Sequence, residues 1–109
     1  MGSGAHAASR KNEGALMKRL GGTVTPRSGA GPKKGDGQIK GLARIEVKGT
    51  TKASFSVTKA QLCKNDMAGL SAGEYPIMVV QFLDAMGKVE DEQAVIRLSD
   101  LEDLLRRCQ

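Results

Sequence analysis

"GDGQIKGLARIEVKG", residues 35–49, decides how the chain is read. Lys40-Gly41 is a turn-forming pair, so "DGQI" and "ARIEVK" are expected to fold back on each other as two short strands. Side chains at i and i+2 of a strand share a face, which projects Glu46 and Lys48 together and turns Ile45 and Val47 to an apolar side. The same turn would bring Asp36 close to Glu46. Two carboxylates near contact repel unless a cation or a proton sits between them, so this placement asks for a reason.

The charge distribution sharpens the question. The formal charge is +5, yet residues 1–64 hold thirteen Lys and Arg against only Glu13, Asp36 and Glu46, a net of +10. Residues 65–109 hold four basic residues against nine acidic ones, a net of −5. A segment this basic attracts polyanions, and nucleic acid is the leading partner on electrostatic grounds, with a merely solvated basic surface as the bland alternative.

At 109 residues the chain suits one compact domain. Its aromatic residues are Phe55, Tyr75 and Phe82, so the core must come from Leu, Ile, Val, Met and Ala. The longest uncharged apolar run, Pro76 to Leu83, falls far short of the about 20 residues that span a bilayer, and no apolar signal-peptide core is seen; a soluble intracellular protein without membrane contact is expected. Cys63 and Cys108 read as free thiols in that setting. His6, with no Cys, His or carboxylate nearby, is a poor metal ligand.

Residues 1–8, "MGSGAHAA", are expected to form a loose tail, and residues 9–109 a single domain. "RKNEGALMKRL" reads as a helix with Ser9 as N-cap and Gly21-Gly22 as its end; Glu13 borders the stripe of Leu16, Met17 and Leu20. "TVTPRSGAGPKKG" reads as a loop, "SFSV" as a third strand, and "TKAQLCKNDMAGL" as a helix capped by Thr58, with Leu62, Met67 and Leu70 near its apolar face. "PIMVVQFL" has the continuous apolar character of a central strand. "DAMGK" should turn the chain into "AVIRL", a last strand, and "SDLEDLLRR" closes as a helix capped by Ser99. This order predicts an α/β domain with helices flanking a mixed sheet.

Magnesium would resolve the carboxylate question, because a hard cation takes oxygen ligands and keeps several waters when one or two carboxylates hold it. Such an ion polarises a phosphate oxygen, and a nearby lysine orients or deprotonates the attacking water, which points to phosphodiester hydrolysis. Glu-x-Lys alone is weak, since six Glu and ten Lys in 109 residues make about half an occurrence expected by chance. Its company is the stronger signal: Glu13, Asp36 and Glu46 are the only acids of the basic segment. A metal site and an ordinary strand ion pair both remain open on these grounds.

Asp36, then nine residues, then Glu46-Val47-Lys48, resembles the PD-(D/E)xK nuclease signature. Glu13 on a first helix, Ser28-Gly29 in a basic glycine-rich loop, "IEVKGTTK" and "TKAQL" opening the next helix are similar in order to archaeal-type Holliday junction resolvases and their phage relatives, over about residues 10–83. Gly35 stands where the signature's name has proline. The resemblance implies a restriction-endonuclease-like fold, with Asp36 and Glu46 as magnesium ligands and the Val47 carbonyl as a third; manganese would substitute. It implies Lys48 as the catalytic lysine, Glu13 completing the site, Ser28 beside the scissile phosphate, and Gln61 as a helix glutamine near the site or simply a solvated residue. It also implies a homodimer and a cytoplasmic setting, in a bacterial host cell or as an intracellular phage protein.

Arg10, Lys11, Arg27, Lys33, Lys34, Lys52 and Lys59 are assigned to DNA contacts, mainly with phosphates. Without interleaved aromatics, recognition should follow backbone shape rather than base stacking, which suits a branched double-stranded DNA and needs no nucleotide cofactor. A four-way junction cut symmetrically calls for a two-fold dimer; the Met67–Leu70 helix end and the "PIMVVQFL" strand edge are its candidate surfaces. The expected function is a magnesium-dependent Holliday junction resolvase. The alternatives are a nuclease of the same fold acting on flaps, ends or linear duplex, and a non-catalytic basic DNA-binding module.

Overall fold

A computed structural model describes residues 2–24, 37–71 and 73–109. Among the described residues the order is α1 (Gly2–Leu20), β1 (Thr23–Val24), β2 (Gly37–Ile39), β3 (Ala43–Thr50), α2 (Lys59–Ser71), β4 (Tyr75–Leu83), β5 (Val89–Ile96) and α3 (Leu98–Arg107). The strands form one mixed sheet in the order β1-β2-β3-β4-β5. β3 and β4 run parallel and the other neighbours antiparallel. A parallel pair needs a crossover, and α2 supplies it while packing chiefly on β4. The expected α/β class with helices flanking a mixed sheet is what the chain forms.

The β2–β3 hairpin turns where Lys40-Gly41 predicts, closed by a bond from the Leu42 N–H to the Ile39 carbonyl at 2.8 Å. β3 alternates as its sequence demands. Ala43, Ile45 and Val47 are buried and form the core with Leu16 and Met17 of α1 and Val79 of β4, while Arg44, Glu46 and Lys48 are half-buried on the other face. Met17 lies so close to β2 that a Cβ on Gly37 would stand 2.6 Å from its sulfur. The stop of α1 at Gly21-Gly22 is read correctly too, and α2 ends in the same way at Gly73, a stop not singled out from the sequence. Gly21 and Gly73, at φ +78° and +71°, follow α1 and α2 in the left-handed conformation that ends a helix cheaply. In each case the next N–H, of Gly22 or Glu74, reaches back to the carbonyl of Met17 or Gly69 at 2.8 Å.

Five expectations are corrected. α1 begins at Gly2, so residues 2–8 are helical rather than a loose tail and Ser9 is not its cap; Ala5, Ala7 and Ala8 have high helix propensity, and no proline interrupts the run. Thr23–Val24, read as loop, form a short strand because β2 offers them a partner: Thr23 opposes Gln38 and Val24 opposes Gly37. "SFSV" forms no strand. Phe55 and Val57 are half-buried and alternate with exposed serines, but β2 and β4 already occupy both edges of β3. α2 does not turn Met67 and Leu70 inward; they are 66% and 54% exposed, and Asn65 and Gly69 are its buried residues. The helix approaches β4 so closely that a Cβ on Gly69 would lie 2.9 Å from that of Pro76, leaving no room for a larger side chain. Ser99 is not the cap of α3: Arg97 holds that position, without a side-chain cap bond.

β4 is central, as its apolar run predicts, and paired on both sides, so its edge is not available as a dimer surface. Its hairpin to β5 closes at "DAMGK", where Asp84 Oδ1 accepts bonds from the N–H groups of Met86 and Lys88 at 2.9 Å. No helix among the described residues is long and apolar enough to cross a membrane.

Candidate active site

The alternation of β3 carries Glu46 and Lys48 onto one face, where Lys48 Nζ meets Glu46 Oε2 at 3.0 Å. The side chains are 24% and 38% exposed, so the pair is open to solvent on a strand whose other face is sealed. On the neighbouring parallel strand they oppose Met78 and Val80, both buried. The hairpin register sets Gly37 opposite Ile45. The residue that follows Asp36 in the chain is thereby fixed beside the residue that precedes Glu46. Asp36 itself, with Ser28, Arg27, Lys33 and Lys34, lies outside the described residues.

The remaining candidates do not all converge on this pair. Val47 buries its side chain in the core, the orientation of a residue that would offer a site only its carbonyl. Glu13 is 6% exposed on the stripe of α1 that includes Leu16 and Met17. That stripe faces Ile45 and Val47, across β3 from Glu46 and Lys48. Gln61 closes a capping box at the start of α2: its N–H donates to Thr58 Oγ1, and its Oε1 accepts from the Thr58 N–H, both at 3.1 Å. Its side chain thus has a structural occupation that the expectation of a cap by Thr58 alone did not give it. Lys11, Lys52 and Lys59 are exposed, as phosphate contacts require, and Arg10 belongs to α1. Lys52, just past the end of β3, lines a cleft of about 470 Å³ with Phe82, Leu83, Glu90 and Asp91; Phe82 lies two strand positions beyond Val80, the partner of Lys48.

Three polar networks escaped the sequence. Glu74, buried at the mouth of β4, takes bonds from Arg44 Nε at 3.1 Å, the Gly41 N–H at 3.1 Å and Gln38 Nε2 at 3.2 Å. It ties the β2–β3 turn to the sheet. Glu92 on β5 accepts from Arg19 at 2.6 Å and from buried Gln81 at 2.8 Å. The Arg19 bond holds the Glu92 carboxyl below its ordinary range, against the opposing effect of burial. The Tyr75 hydroxyl donates to Asp103; the bond pushes the phenol pKa up and the carboxyl pKa down. Each network joins residues far apart in sequence, and no local spacing signals such a pairing.

An oxygen donor set suits a hard cation. The Glu46 carboxylate, part-exposed and contacted by one ammonium, keeps lone pairs for a further ligand. Among the described residues no group of three or more His, Cys, Asp or Glu gathers at one point, so a metal here would rest on Glu46 together with Asp36. No family model, no curated protein and no solved structure matches this chain.

Proposed function

We propose that the protein is a magnesium-dependent, structure-selective DNA endonuclease that hydrolyses phosphodiester bonds at four-way junctions, working as a homodimer. One observation carries this reading: a carboxylate and an ammonium 3.0 Å apart on the open face of β3, at the register where the chain leaves Asp36 to enter β2. The finer fold assignment, a restriction-endonuclease-like sheet, belongs to the same proposal. Asp36 and Glu46 would hold the metal, with the Val47 carbonyl as a further oxygen, and the bound ion would supply charge neutralisation at the scissile phosphate. Lys48 would hold the attacking water or an oxygen of the phosphate through its ammonium, which Glu46 orients. The exposed lysines would fix the register of the duplex arms through phosphate contacts.

A second reading has its own support. Glu46 and Lys48 already neutralise each other, and Glu13 lies across β3 from them, an arrangement equally suited to a non-catalytic basic DNA-binding module. Cleavage of a synthetic mobile four-way junction, with each strand pair labelled and magnesium or manganese added, separates the readings. The nuclease cuts the junction in a metal-dependent way and leaves a linear duplex of the same sequence largely intact. Equal rates on both substrates move the assignment to a flap, end or duplex nuclease of the same fold. Absence of cutting, with no calorimetric metal binding even in the presence of DNA, leaves the binding module.

A further inference from the structure

α3 is docked by its polar side. Asp103 accepts from the Tyr75 hydroxyl, Arg107 stands 5.7 Å over the Tyr75 ring, and buried Asp100 takes two bonds from Arg97 at 2.9 Å. Asp100, Asp103 and Arg107 follow the i, i+3, i+7 spacing that lines one helix face. Leu98, Leu101 and Leu105 repeat that spacing on the opposite face, where they are 70%, 38% and 54% exposed. An amphipathic helix of a self-contained domain turns its leucines inward; this one half-buries Leu104 and leaves the other three of its four leucines outside.

We propose that the leucine face of α3 docks a second copy of this chain, with the two α3 helices antiparallel about a two-fold axis. The charge order of the helix selects that occupant. Its first half carries Asp100, Glu102 and Asp103, and its last turn carries Arg106 and Arg107. A parallel mate would set acid against acid, whereas an antiparallel copy lays the acidic half of each helix along the basic end of the other, and the axis repeats the contact. Glu102 and Arg106 flank the leucine stripe on the same side, and Glu102 makes no ion pair among the described residues; Arg106 of the second copy is the cation it fits. A face of three leucines is small, so the product is a concentration-dependent monomer–dimer equilibrium rather than an obligate dimer. The proposal names the surface for the two copies that symmetric junction cutting needs. It rests on α3 alone, and because its test reads mass, it can fail while the nuclease reading stands, and the reverse.

Sedimentation velocity of the full chain over a concentration series should show the 11.5 kDa species passing to twice that mass. Leu105→Glu or Leu98→Glu, which bring a charge into the contact, should weaken association at least ~10-fold, with circular dichroism, and melting at concentrations where the parent is monomeric, unchanged because both sites are exposed in the single copy. Glu102→Arg should weaken the dimer, and Glu102→Arg combined with Arg106→Glu should restore it. A parent chain that stays monomeric overturns the proposal and gives the leucine face to a different partner. A dimer indifferent to both leucine changes overturns it as well, and charge reversal without rescue overturns the antiparallel arrangement.

Discussion

Two ion pairs begin on the same face of β3, two residues apart, and their lengths are nearly equal: 3.1 Å for Arg44–Glu74 and 3.0 Å for Lys48–Glu46. Their surroundings differ. The Arg44 and Glu74 side chains are 11% and 3% exposed, and two further donors complete the carboxylate. Lys48 and Glu46 are 38% and 24% exposed. A buried pair that loses one member leaves a charge in a low-dielectric interior, whereas an open pair exchanges its partner for water or a ligand at little cost. Distance alone cannot tell a structural latch from a group available for chemistry; burial and the number of satisfied lone pairs can.

Substitution at the open pair should produce the largest effect, and on activity alone. If Glu46 holds a metal, Glu46→Gln lowers junction cleavage at least ~100-fold, while DNA binding and thermal melting remain close to the parent's. Single-turnover cleavage and a gel-shift series on the same junction measure the two sides. A variant that cuts like the parent removes Glu46 from the site and reduces the pair to a strand contact.

Substitution at the closed pair should do the opposite. Glu74→Ala strips Arg44, the Gly41 N–H and Gln38 of one shared acceptor, and should destabilise the fold by about 3–5 kcal/mol, read as a lower urea midpoint. A loss below about 1 kcal/mol, the range of exposed pairs, would show that water reaches this corner and that the contrast between the two pairs is one of degree.

The contrast also marks what the sequence can disclose. Glu46 and Lys48 share a face because strand side chains alternate, a local rule that needs only positions i and i+2. The Lys40-Gly41 turn, the Thr58 cap and the apolar run of β4 were legible for the same reason: each is decided within a few residues. Arg44–Glu74 joins positions thirty residues apart, and nothing near Gly73-Glu74 points to Arg44. The strand at Thr23–Val24 and its absence at "SFSV" depend on which sheet edge is free, a property of the assembled sheet. In α2 the backbone's approach to β4 overrode hydrophobicity, burying Gly69 and leaving Met67 outside. Glu13 was legible as a residue beside a buried stripe, but the face of β3 that the stripe would meet was not.

A third ion pair extends the series towards exposure. Arg19 and Glu92 meet at 2.6 Å with side chains 59% and 23% exposed. The Glu92 carboxyl is held below its ordinary value, first by the Arg19 bond. A carboxyl depressed in the folded state contributes stability that is present above its unfolded pKa, about 4.3, and is lost as pH falls through the lower folded value. Acid titration of the melting temperature should therefore fall more steeply below that pH for the parent than for Glu92→Gln. Parallel curves would mean that solvent screens the pair fully.

Gln61 gives the smallest effect and the finest distinction between an occupied side chain and an available one. Its carbonyl oxygen accepts from the Thr58 N–H, a task a glutamate performs as well, since either residue completes this kind of cap. Gln61→Ala should cost a few tenths of a kcal/mol, less than the about 1 kcal/mol expected for Thr58→Ala, because water replaces the lost acceptor at an exposed helix end. Gln61→Glu should restore the melting temperature. If the cap is the residue's whole task, junction cleavage by Gln61→Glu matches the parent's; if Gln61 also touches the phosphate, the added negative charge depresses cleavage while stability stays intact. Stability and activity then part at a single atom, the Nε2 that the cap leaves unused.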